Sequence, residues 1–496
     1  MKKIRFQFKT NIKNIRRNVM KKKIGAILAA AAMACTMTVG VAFSGCGMAK
    51  ITEFDMPEGG YDGSKVTITF ANTTGQNLER IVADAIADFN VLYPNITVKV
   101  DNSNKNWSDL NNNIATKITT GKQPHIAYCY SDHVAQYNEY NAVLPLNDFL
   151  PDGAFKDMTV TNTAGEEALG LTQAQKDDYV DIFFAEGSVY GDNKIYTLPF
   201  AKSTEVMFYN EDFFKAHPDI KIPTTWEEME ETCEKIQNII GKNNGKYPLG
   251  YDSDANLFIT MCEQHESPYT SAAGKDHFLF NNETNRNFVK DLVEWYKKGY
   301  LITQNTNGPN KQYTSYLFTE EKCIMSIGST GGASYQDPGA VDDAAKFTVG
   351  VARVPQLKPD KPKTILQGPS VCIFKKDNPQ EVIASWLLVK YLTTNVMFQG
   401  RYSEVSGYIP VTKSAYQNPL YQEFLSEGSL TARVASTCAA MVEDNAFYTS
   451  DAFPGSSKAR ERVEILMEAV FFGKDIADEF AKAVKACNDY INNIED

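Results

Sequence analysis

The sequence predicts an α/β fold with parallel sheet layers, on three observations. Val66, Ile68 and Phe70 alternate with polar residues, which is the period of a strand. Leu78, Ile81, Val82, Ala85, Phe89 and Leu92 then recur at helical spacing until Pro94, which cannot continue a helix. Ile96, Val98 and Val100 alternate again. Strand, helix and strand in direct succession is the connection a parallel pair requires. The chain has 496 residues, enough for two or three domains, and its 43% hydrophobic and 22% charged content is that of a soluble globular protein.

The pattern continues along the chain. Residues 107–120 have helical spacing, and HIAYCY (125–130) is an apolar strand run. LPFAKSTEVMFYN (198–210) is strand-like with polar residues embedded. Thr225 and Glu228 form a capping box that opens a helix at Trp226, which is assigned to packing. CIMSIG (323–328), FTVGVARVP (347–355) and ILQGPSVCIF (365–374) read as further strands. Residues 379–400 and 457–493 are amphipathic helices.

The N-terminus has a different character. Lys21, Lys22 and Lys23 precede the apolar run IGAILAAAAMACTMTVGVAF, which ends at Ser44-Gly45-Cys46. A short apolar core behind lysines, closed by small residues, is a secretion signal over 1–45 rather than a permanent span. F-S-G-C resembles a bacterial lipobox, which implies that Cys46 is acylated and holds the protein to the outer face of the cell membrane. Residues 46–63, Gly-rich and polar, read as the tether.

Residues 1–45 carry ten Lys or Arg and no acid, leaving 40 bases against 61 acids beyond, a net of −21. So acidic a body repels nucleic acid, and none is expected as a partner. Seven of nine cysteines lie beyond the signal and Cys46; the odd number and the lack of any C-x-x-C pair argue for buried thiols, Cys129 and Cys372 among them.

Catalytic motifs are lacking: no G-x-x-x-x-G-K-[ST], no G-x-S-x-G and no H-E-x-x-H. The five histidines include no i,i+4 pair, so no metal is expected, and no cofactor. Asp252, Asp254, Asn256 and Glu263 have the spacing of calcium-loop positions, but Leu257 stands where the sharp turn needs Gly; a loop capping a helix at Asp254 or Asn256 is preferred. Gly328-Ser329-Thr330-Gly331-Gly332 reads as a strand-end loop offering hydroxyls and backbone N–H groups to a ligand.

Seven segments in order across about 65–415 resemble the bacterial extracellular solute-binding proteins of the sugar and glycerol-3-phosphate type: VTITFANTTGQNLERIVADAIADFNVLYPNITVKV, LPFAKSTEVMFYNEDFF, IPTTWEEM, CIMSIGSTGGASY, GVARVP, ILQGPSVCIF and SGYIPVTKSAY. The resemblance implies two α/β lobes of the type II periplasmic-binding-protein kind, joined by hinge strands and closing on a ligand. The N-terminal lobe would be 64–200 plus 350–395, the C-terminal lobe 201–349 plus 396–496. It implies ligand contacts at Asn72, Thr73 and Thr74, at Trp107, at Ser131 and Asp132, at Ser203, at Ser329 and Gly368, and at Tyr408. Hydroxyls, a carboxylate and two aromatic faces suit a sugar.

The expected function is therefore the substrate-binding component of an ABC importer, a non-enzymatic monomer that captures a sugar or oligosaccharide and delivers it to membrane permease subunits. Ala71-Asn72 replaces the Trp-His common in the family at that point. Members that bind a phosphate ester use an Arg near the C-terminal segment; Arg401, Arg433 and Arg460 are the candidates here, and none falls on a clear motif position. The rival readings are a glycerol-3-phosphate or phosphodiester binder of the same fold, a surface glycoside hydrolase, and a sensory lipoprotein. A well-placed Arg in the cleft would mark the first, and a carboxylate pair across a bound sugar the second.

Overall fold

A computed structural model describes residues 51–341 and 346–495. The signal expected over 1–45 and the acylation expected at Cys46 lie outside the described residues. Ten strands build two five-stranded sheets. The chain opens with β1 (Val66–Ala71), β2 (Ile96–Asp101), β3 (Ile126–Cys129) and β4 (Thr197–Pro199). It crosses to β5 (Glu205–Asn210), β6 (Tyr247–Tyr251), β7 (Leu301–Thr303), β8 (Cys323–Ser329) and β9 (Val349–Arg353), then returns with β10 (Ser370–Ile373). The first sheet has the order β2-β1-β3-β10-β4, and the second β9-β5-β8-β6-β7. β1 runs parallel to β2 and β3, as strand–helix–strand connections demand, whereas β10 is antiparallel to β3 and β4.

The local reasons match the sequence. α1 (Gln76–Leu92) buries Ile81, Val82, Ala85 and Phe89 on one stripe. α2 (Trp107–Ile118) starts at Asn106, whose side chain accepts from the Asp109 N–H. β2 is an edge strand, so Val100 is left exposed despite its place in the alternation. α3 (Ser131–Asn138) follows β3 directly. α4 (Trp226–Ile240) begins with the Thr225–Glu228 capping box, and Trp226 is buried with its indole N–H donating to Gln264 at 2.8 Å.

α5 (Asp254–Gln264) is capped by Ser253, one residue before the expected Asp254, so the acidic run is the first turn of a helix and not a calcium loop. α6 (Pro379–Thr394) is buried against the first sheet; Trp386 stacks on Phe149 at 4.4 Å and donates to the Leu169 carbonyl at 2.8 Å. The helix expected over 379–400 is broken at Asn395, whose side chain caps α7 (Val396–Ser406) by accepting from the Phe398 N–H. The C-terminal helical stretch is likewise two helices, α8 (Ser456–Phe471) and α9 (Ile476–Glu495). All seven described cysteines are buried and free.

Three sequence expectations change. β9 pairs antiparallel with β5, so residues 350–353 belong to the second sheet, and the first sheet resumes only at Ser370 rather than at 350. α7, assigned to the C-terminal lobe from 396, packs on α1 and places Phe398 and Tyr402 against Phe200 of the first core. Residues 51–63 are docked rather than a loose tether. Phe54 packs edge-on against Phe155, Glu53 pairs with Lys375 at 2.8 Å, and Asp62 N–H donates to Gln380 at 3.0 Å.

The two sheets are joined where three chain segments run side by side. Ser203 and Gln367 exchange backbone hydrogen bonds at 2.9 and 2.8 Å, and Lys202 and Ile409 do the same at 3.0 and 2.5 Å. Beneath this crossing lies Lys202, fully buried, its ammonium bonded to Glu186 and, at 2.9 Å, to the Ser370 hydroxyl.

Candidate ligand cleft

The carboxyl ends of β1 and β3 open toward the crossing, the usual position for a ligand in an open α/β sheet. Two cavities lie there. The larger, about 380 Å³, is lined by Thr73, Thr74 and Trp107 after the first sheet's strands, by Gly331 and Tyr335 after β8, and by Tyr408. The smaller, about 150 Å³, is lined by Tyr130, Ser131 and Asp132 after β3, by Glu186 and Gln367 at the crossing, and by Tyr269, Asp451 and Arg460. Trp107 and Tyr130 pack with ring centroids 4.4 Å apart, one ring on each cavity, so an aromatic partition separates the two.

Six of the ten sequence-predicted ligand residues thus come together: Thr73, Thr74, Trp107 and Tyr408 on the larger cavity, Ser131 and Asp132 on the smaller. Four do not line either wall. Asn72 is fully buried behind its loop, its amide oxygen accepting from Thr74 at 3.2 Å. Ser203 is held in the crossing by its backbone. The Ser329 hydroxyl accepts from the Gly331 N–H at 3.3 Å and so caps the following turn. Gly368 sits at φ +92 with its Cα against backbone: a Cβ would lie 2.5 Å from the Ala201 carbonyl oxygen and 2.7 Å from the Ser203 nitrogen. Gly368→Ala is therefore expected to cost more than about 1 kcal/mol of stability, read by urea unfolding. An unchanged midpoint would show that the crossing yields to a methyl group.

Several groups on the walls carry no sequence signal. Glu186 faces the smaller cavity while its other contacts are Lys202 and Ser370. Tyr269 brings a buried hydroxyl with no hydrogen-bond partner among the described residues. Arg460, which the sequence left as one of three candidate arginines, reaches the wall from α8; it donates to the Asn256 amide oxygen and forms no ion pair with a carboxylate among the described residues. The lobes also meet directly: the Ser457 hydroxyl on α8 donates to Asp132 at 2.8 Å. Gly331 lies flat on the Tyr408 ring, where a Cβ would be 2.8 Å from the ring carbon bearing the hydroxyl. Burial holds the Tyr130 phenol well above its ordinary range and pushes that of Tyr408 up to about 12, so both act as neutral hydroxyls.

The arrangement offers flat apolar faces, carboxylates, one guanidinium and several hydroxyls from both lobes. No cluster among the described residues could hold a metal ion, and no helix among them is long and apolar enough to cross a membrane.

Residues 84–424 match the profile of a family described as bacterial extracellular solute-binding protein. The chain is 26% identical over 248 residues to the sn-glycerol-3-phosphate-binding periplasmic protein UgpB of Brucella abortus (strain 2308), covering 47% of this chain and 53% of that protein. It is 25% identical over 237 residues to the arabinooligosaccharide-binding protein of Bacillus subtilis (strain 168), covering 46% and 47%. It thus spans about half the length of the curated relatives it matches. Among solved structures, UgpB from Mycobacterium tuberculosis in complex with glycerophosphocholine superposes with a TM-score of 0.69 at 17% identity, covering 86% of this chain and 99% of that one. The cyclic alpha-maltosyl-1,6-maltose binding protein from Arthrobacter globiformis gives 0.65 at 17%, covering 87% and 100%. These likenesses establish the two-lobe fold.

Proposed function

The chain belongs to the bacterial extracellular solute-binding proteins, and from that premise we propose that it captures a sugar or oligosaccharide outside the cell and delivers it to the permease of an ABC importer. The observation that carries this reading is the composition of the cleft: Trp107 and Tyr408 offer ring faces, while Asp132, Glu186 and Asp451 offer acceptors for sugar hydroxyls. Groups from both lobes line both cavities, so only a closed arrangement makes every contact, and ligand shifts the population toward it. The permease would read the closed form. No turnover is expected. Acylation at Cys46 would anchor a monomer to the outer face of the membrane.

Arg460 favours a second reading. A guanidinium facing a cavity, with no carboxylate partner among the described residues, suits a phosphodiester. Three carboxylates on the same wall oppose an anion, and for that reason the neutral saccharide is preferred.

Thermal unfolding against saccharides, polyols and glycerol phosphates tests both. A ligand that binds only the folded form raises the melting temperature with concentration, by about 2.7 kcal/mol of added stability at a hundred times Kd. The expected result is a shift with one saccharide class, the saccharide being recovered unchanged. A shift confined to phosphate esters would transfer the function to the second reading, and hydrolysed saccharide would overturn transport.

A further inference from the structure

Arg460 does not stand alone. The Asn256 amide lies between a half-buried guanidinium and a buried carboxyl: its oxygen accepts from Arg460, and its nitrogen donates to Glu205 at 2.6 Å. Such an amide has one satisfactory orientation, because a guanidinium only donates and a carboxylate only accepts. The other Glu205 oxygen accepts from the Tyr251 hydroxyl at 2.5 Å. Glu205 is the first residue of β5, beside the crossing; Asn256 is on α5 and Arg460 on α8, and these two helices pack together. A line of hydrogen bonds therefore runs from the base of the second sheet to the cleft wall.

We propose that Asn256 and Glu205 are positioning residues, which fix the Arg460 guanidinium at the cleft and couple it to pH through the charge of Glu205. The proposal rests on the cleft being the ligand site, but its geometry does not depend on which ligand is bound. Burial, opposed by the bonds from Tyr251 and Asn256 and by the charge of Arg460, pushes the Glu205 carboxyl up to about 7. The groups facing it are Tyr251 and Asp252 from β6 and its end, Tyr448 from the short strand Phe447–Tyr448, and Arg460 from α8. As pH falls through about 7 the carboxylate takes up a proton, and the negative charge linked to the guanidinium through Asn256 is lost. The cleft then becomes more positive, so an anionic ligand gains affinity at lower pH while a neutral saccharide is little affected.

The test is made on the ligand-free protein, with arginine labelled with nitrogen-15 and the Arg460 side-chain resonance assigned by its loss in Arg460→Lys. The expected result is a resonance that moves with a midpoint near pH 7 and ceases to move in Glu205→Gln, which keeps one acceptor oxygen and removes the charge. In Asn256→Leu the Arg460 side chain should lose its fixed position and its resonance should narrow toward those of exposed arginines. If that variant fails to fold, Glu205→Gln still decides. A resonance that is constant across pH 5.5–8.5, or that titrates equally in Glu205→Gln, overturns the relay. A titration that depends on Glu205 while no saccharide or phosphate ester stabilises the protein would uphold the relay and defeat the proposed capture.

Discussion

Replacing Lys202 by Met is expected to lower the unfolding free energy by about 3–5 kcal/mol. Lys202 is fully buried at the crossing, and its ammonium is bonded to Glu186, to the Ser370 hydroxyl at 2.9 Å and to the Gly368 carbonyl at 3.4 Å. Methionine fills much the same volume but leaves the Glu186 carboxylate, itself nearly buried, with the Ser370 hydroxyl as its one remaining hydrogen-bond partner among the described residues. An uncompensated buried charge accounts for the loss, not the attraction of the pair as such. The double variant Lys202→Met, Glu186→Leu should therefore recover a large part of the stability. Urea unfolding of the two single variants and the double variant measures the coupling. A single-variant cost below about 1 kcal/mol would mean that water reaches Glu186 from the cleft and solvates it.

The pair matters to function because of where the chain carries it. Lys202 lies between β4 and β5, and its backbone bonds to Ile409 tie the first crossing to the third. Glu186 presents its carboxylate to the smaller cavity. The pair lies where the chain crosses between the two sheets, and whatever fills the small cavity meets one of its members. A site built beside a crossing takes a positioning charge from the crossing itself.

Local periodicity made the scaffold legible. The alternation at 66–70, the helical stripe at 78–92 and the capping box at Thr225 each describe a residue's nearest chain neighbours, and each is present in the fold. The resemblance named Trp107, Asp132 and Tyr408 as ligand contacts, and all three stand on cavity walls. Arg460 and Asn256 are 204 positions apart and meet only once α5 packs on α8, so no window of sequence could join them. Lys202 and Glu186 are only 16 apart, yet a lysine in a strand-like run gives no sign of whether it will be buried. Gly368 and Ser329 stand off both cavity walls for a different reason. They occupy the right loops, but the demands of a tight crossing and of a capped turn account for the residue types there.

Trp107→Ala is expected to weaken saccharide binding by on the order of 30-fold, about 2 kcal/mol, because a central aromatic face carries a disproportionate share of binding energy. Trp107 stands at the first position of α2, half-buried, with one face taken by Tyr130 and the larger cavity open beside it. Its removal has two costs that separate cleanly. The fold loses part of an aromatic contact at the surface of the cleft, whereas the ligand loses the flat wall of the larger cavity and the partition from the smaller one. Stability should therefore fall by less than the affinity does. Trp107→Phe, which restores a ring without the indole, should recover part of the affinity. Calorimetric titration with the saccharide that raises the melting temperature reads the loss. An affinity that survives Trp107→Ala unchanged, with Arg460→Ala abolishing binding instead, would place the ligand in the smaller cavity and make the guanidinium, not the ring, its principal anchor.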